Sequence, residues 1–249
     1  MRYGLAFRYF ISQPGGFVQL LLVTVCQLIP VVGPIVTLGY RSILAEVLAC
    51  DPNLTRHPKF DFNLFVEYLT RGVWPFLMSL VLSLPLAALF MVAWMVGMFG
   101  AMQQGPQGMP FVMLGIMAAA LLILPFYAAI AIPMTFHAEL TNKFDLPGAF
   151  RFLRDFWRLV GSKAIMCGIT FFPLSVLVTI AGLLCCFVGV YVTSTLAQLA
   201  GQHLMVQLYV EYLERGGEPL FRQLPLADVV EERERYEDEY DDEEDNRNR

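Results

Sequence analysis

An all-α, polytopic membrane bundle is the fold class that this sequence predicts, and three observations predict it. The chain is 57% hydrophobic and 16% charged over 249 residues, against roughly 45–50% and about 25% for soluble domains. Its apolar runs reach the length of about 20 residues that a membrane helix needs. Its charges avoid the Gly- or Pro-bearing turns between those runs. The net charge of −5 belongs to one end. Residues 226–249 hold twelve acidic residues and four arginines, leaving the other 225 residues with thirteen basic and ten acidic groups.

The runs group into three units, each an amphipathic interfacial helix, a glycine and a membrane hairpin. They cover about 3–49, 60–136 and 147–213, within an integral membrane domain of 1–215. Residues 216–249 are the linker and an acidic tail.

In the first unit, YGLAFRYFIS (3–12) is a short surface helix ended by QPGG. The apolar stretch 17–49 then breaks at VVGP (31–34), between Pro30 and Pro34. Two arms of about 15 residues reach roughly 22 Å each, short of a hydrocarbon core of about 30 Å. The hairpin is therefore re-entrant or thins the bilayer locally. A rival reading takes 17–40 as one span.

In the second unit, 50–60 is a loop with Asp-Pro and His-Pro steps, followed by the surface helix FDFNLFVEYLTRG. Gly72 leads into segments 73–99 and 111–136, joined by the uncharged turn GAMQQGPQGMP (100–110). The third unit comes after a second loop, HAELTNKFDLPG (137–148).

The third unit is the clearest. Ala149, Phe150, Leu153, Phe156, Trp157 and Val160 share one helical face, while Arg151, Arg154, Asp155 and Arg158 share the other, with Phe152 the misfit. Aromatic rings against arginines suit a headgroup boundary, which makes Phe150, Arg151, Arg154, Phe156, Trp157 and Arg158 the interfacial anchors. A helix facing a protein core has the same pattern; the membrane character of the next fifty residues favours the interface. Gly161 then leads into arms 163–184 and 190–211. AFRFL at 149–153 echoes AFRYF at 6–10.

The acidic tail is poor in aromatics and low in complexity, a composition that predicts disorder. Cys26, Cys50, Cys167, Cys185 and Cys186 form no CxxC pair and accompany no His cluster. The turns near 31–34, 100–110 and 184–189 carry no Lys, Arg, Asp or Glu, and all 17 basic residues fall on the other side or at its boundary. The positive-inside rule places that side, with both termini, in the cytosol.

LIPVVGPIVTLGYRSILAEV (28–47) and LLCCFVGVYVTSTLAQLAGQHLMVQLY (183–209) carry a resemblance. With the φ-I-P-φ-φ-G-P turn, Gly39-Tyr40-Arg41 and the polar–aromatic NLFVEYLTRG, the chain resembles a bacterial integral-membrane family known as domain of unknown function 4013. The match covers most of residues 5–213. It implies a multi-pass helical fold in a bacterial inner membrane. It implies no activity and no functional residues.

Hydrolase, zinc-protease, P-loop, dinucleotide and redox motifs are absent from the sequence, so a non-enzyme without cofactor or metal is expected. The dense polar set lies in the last arm. Thr195, Gln198 and Gln202 fall at i, i+3, i+7, with His203, Gln207 and Glu211 on the neighbouring face. Two readings stand: a conduction path, and interhelical hydrogen bonding, which is preferred. His137 and Glu139 read as interfacial. Expected partners are the lipid bilayer, a basic protein held by the tail, and a second copy of the chain, but no nucleic acid. The expected function is a membrane scaffold or bilayer-shaping protein; the alternative is a small-solute or ion channel or transporter using the last-arm stripe.

Overall fold

A computed structural model describes residues 3–4, 16–51, 58–104, 108–184 and 187–220. Among these there are six helices and no strand: α1 (Gly16–Gln27), α2 (Val32–Cys50), α3 (Phe65–Gln104), α4 (Gly108–Thr141), α5 (Leu146–Leu184) and α6 (Phe187–Glu214). The protein is an all-α bundle. Four stretches are long and apolar enough to cross a membrane: Val32–Cys50, Phe62–Gly100, Val112–Thr141 and Leu146–Leu184. Most of the surface helix expected over 3–12, the centre of the 100–110 turn, the Cys185–Cys186 turn and the acidic tail lie outside the described residues.

The order of three hairpins holds, but the glycine boundaries do not. α3 and α5 run unbroken for 40 and 39 residues, about 60 Å each and twice a hydrocarbon core. The expected surface helices are simply their first turns. Gly72 and Gly161 sit inside them, because one glycine costs a helix only about 1 kcal/mol. Gly72 has a packing reason to be there. A Cβ on it would meet the Ile35 carbonyl, and one on Gly39 would meet the Tyr68 carbonyl. The two glycines let α2 and α3 touch backbone to backbone. Pro75, Pro85, Pro125, Pro133 and Pro173 likewise stand inside helices without ending them.

The loop expected at 137–148 shrinks to 142–145. HAELT continues α4 until Asn142 takes a left-handed φ of 49°. Asp145 then starts α5, its Oδ1 accepting from Gly148 N at 3.0 Å. Asp61 does the same for the 3-10 turn Phe62–Leu64 that opens α3, accepting from Asn63 N at 2.8 Å.

In the first hairpin, α1 is described over 12 residues and α2 runs for 19, the latter about 28 Å. The hairpin's break lies at 28–31, which excludes a single helix over 17–40. Val32 N donates to Pro30 O at 2.8 Å across Val31, which has φ 67° and ψ −53°. That is a γ-turn of the strained hand.

α2 is the central element, touching α1, α3, α4 and α6. Its Val36, Tyr40, Ile43, Leu44 and Leu48 are buried with Phe136 of α4, Phe152 and Phe156 of α5, and Leu199, Val206 and Tyr209 of α6. This corrects the reading of α5. Ala149, Phe152, Phe156 and Val160 face the core, so the misfit Phe152 is a core residue and Phe156 is no lipid anchor. Trp157 is half-buried and donates from Nε1 to Ala129 O at 3.1 Å. Phe150 is exposed, as are Arg151, Arg154 and Arg158. Away from this core the helices present bare apolar surface, including Leu84, Val92 and Phe99 on α3, Phe126 on α4, and Ile169 and Leu177 on α5. Such contiguous exposure marks a surface meant for lipid or protein, not water.

Candidate functional site

The site is a buried polar network on three helices. Residue spacing places its members. Arg41 and Ser42 lie one turn before Glu46 on α2, Glu139 lies in the last turns of α4, and Gln202 is midway along α6. Arg41 Nη2 stands 3.1 Å from Glu139 Oε1, an ion pair without hydrogen-bond alignment. Arg41 Nη2 and Nε also donate to Gln202 Oε1, at 2.7 and 3.2 Å. Gln202 Nε2 donates to Glu139 Oε2 at 2.7 Å, and Ser42 Oγ to Glu139 O at 2.6 Å. The Glu139 side chain is fully buried. On the opposite flank of α2, Glu46 Oε2 accepts from Arg71 Nη1 of α3 at 2.6 Å. Two arginines thus meet two glutamates, and the buried charge balances.

A second layer lies between α1 and α6. Thr24 Oγ1 is 3.2 Å from Thr195 Oγ1, Thr195 Oγ1 is 3.2 Å from Gln27 Oε1, and Gln27 Nε2 donates to Gln198 Oε1 at 3.3 Å. Thr195 and Thr24 also return to their own helices through Tyr191 O and Leu20 O. His203 is buried, with Nδ1 3.0 Å from Gln207 Nε2 one turn on.

The structure therefore brings Thr195, Gln198 and Gln202 against other helices, as interhelical hydrogen bonding requires. His203 and Gln207 pair along α6. Glu211, at the end of the same helix, instead meets Lys163 of α5 at 2.6 Å and Arg215 at 2.8 Å. Burial raises the Tyr212 phenol above its ordinary value, and its oxygen accepts from Glu218 N at 3.1 Å.

His137 and Glu139 lie in helix α4, not in a loop. Both are buried in the bundle. The sequence does hold a signal for the missed pairs. Arg41, Glu46 and Glu139 are ionised residues set against long apolar runs, where a charge demands a partner. Opposite charges in equal number on neighbouring segments point to those partners. Chemically, the network can hold helices in register. Removing one member would leave a buried charge unpaired, while the intact set is close to neutral in cost. Among the described residues, no three His, Cys, Asp or Glu side chains converge as metal ligands.

No family model, curated protein or solved structure matches the chain.

Proposed function

We propose that this protein is a non-catalytic, multi-pass membrane scaffold that shapes the bilayer around it and recruits a basic protein through its acidic C-terminus. The observation that carries this reading is how the α6 polar stripe is used. Thr195, Gln198 and Gln202 bond to side chains of α1, α2 and α4, so the polar groups serve helix association. The bilayer-shaping part rests on the first hairpin, whose first apolar arm, from Phe17 after QPGG to the break that follows Gln27, covers roughly 17 Å against a core of about 30 Å. The charge-free turns and the family resemblance support a bacterial inner membrane with both termini in the cytosol.

One observation favours the transport alternative. Arg41 and Glu139 are ionisable groups packed between apolar helices, a placement that marks ion or solute paths in many membrane proteins.

The scaffold reading is tested by affinity capture with and without residues 226–249. Loss of a basic protein on deletion, with the membrane body still folded, supports it; an unchanged set of captured proteins contradicts it.

A further inference from the structure

Arg151, Arg154 and Arg158 lie at i, i+3, i+7 on the exposed face of α5. The Arg154 side chain is 76% exposed, and its ion pair is with the adjacent Asp155 at 3.2 Å. The chain leaving α6 is brought back beside this stripe. Arg215 Nη1 donates to Leu159 O at 2.5 Å. Glu218 N and Leu220 N donate to the hydroxyls of Tyr212 and Tyr209, at 3.1 and 2.8 Å. Tyr212 packs on Phe152 and Phe156, the inward neighbours of the stripe, at ring distances of 5.4 and 6.3 Å. The segment from Arg215 to Leu220 is thus pinned to α6, at the Phe152 end of α5.

Beyond Leu220 the chain enters its most acidic stretch. Twelve Asp and Glu residues lie in 228–245, with Arg233 and Arg235 the basic residues among them. Asp228 is eight residues past Leu220, a reach of about 26–29 Å when extended. The stripe is only about 10 Å long. A tether that short gives an effective concentration in the millimolar range. We propose that residues 228–245 dock in cis on Arg151, Arg154 and Arg158. The tail then covers the arginines that would otherwise meet anionic headgroups, and it is held until a more basic surface displaces it. This inference goes beyond the scaffold reading, since it requires no recruited partner.

The test uses the full chain with R151K, R154K and R158K, which keep the charge and supply amines. The protein is reconstituted in phosphatidylcholine vesicles, treated with a zero-length carbodiimide and mapped by mass spectrometry. Lys163–Glu211, at 2.6 Å, is the internal positive control. The expected result is coupling of positions 151, 154 and 158 to carboxylates of 228–245 in the monomer band, falling about fivefold or more between 0.05 and 0.5 M salt. Control coupling without tail coupling overturns the proposal. So does tail coupling found only between two copies, or only at Lys59 and Lys143, or unchanged by salt. A stripe that gives no tail coupling but loses amine reactivity when phosphatidylglycerol is added belongs to headgroups, which also overturns it.

Discussion

Glu139 of α4 faces Arg41 of α2 at 3.1 Å, and Gln202 of α6 bonds to both. Three helices from three different hairpins are thereby keyed at one point. A buried pair of this kind adds little net stability when intact, but removing one partner costs about 3–5 kcal/mol. Arg41→Met and Glu139→Leu should each destabilise the detergent-solubilised protein by that amount. The double substitution should recover most of the loss. Thermal unfolding of the four proteins reads this directly, and additive losses would contradict the pairing.

The crossing of α2 and α3 depends on two positions without side chains. Gly39→Ala and Gly72→Ala each place a methyl group on facing backbone. Each should cost about 1–3 kcal/mol or more by overpacking. Gly115→Ala, where a Cβ meets nothing within 4 Å, should be neutral or slightly stabilising. Equal midpoints for all three variants would argue against the close crossing.

Val31 holds a φ of 67° in the γ-turn and is exposed. Glycine adopts that conformation without steric cost. Val31→Gly should therefore stabilise the protein by about 1 kcal/mol, through relief of backbone strain. A loss of stability in chemical denaturation would show that the turn has another shape.

Tyr212→Phe removes the oxygen that accepts from Glu218 N. A neutral hydrogen bond is worth about 1 kcal/mol, so exchange of the Glu218 amide should quicken about fivefold. The helical body should keep its protection. Unchanged exchange at Glu218 would mean the segment after α6 is not pinned there.

The hairpin order was legible because it rests on run length and on turn residues, which are local properties; the number of helices was not, since the surface helices expected before Gly72 and Gly161 are the first turns of α3 and α5. Nor was the inward face of α5. A 12-residue window cannot separate Phe150 from Phe152, and lipid and a neighbouring helix select the same apolar side chains. Gly72 and Gly161 read as boundaries because a glycine needed for close packing looks the same, in sequence, as one that ends a helix. The stripe Thr195, Gln198 and Gln202 was visible from its spacing. Its partners Thr24, Gln27, Arg41 and Glu139 were not, because spacing within one helix carries no information about which distant helix it meets. His137 and Glu139 were misplaced for a simpler reason: HAELT contains nothing that stops a helix, and the stop comes only at Asn142.

The central claim is that the α6 polar groups join helices instead of conducting, and liposome flux measures that most directly. Purified protein should raise permeability to common ions and small solutes no further than protein-free vesicles do. Gln202→Leu with His203→Leu should change stability but not flux. Permeability above the empty-vesicle level that this double substitution lowers would contradict the account and favour transport.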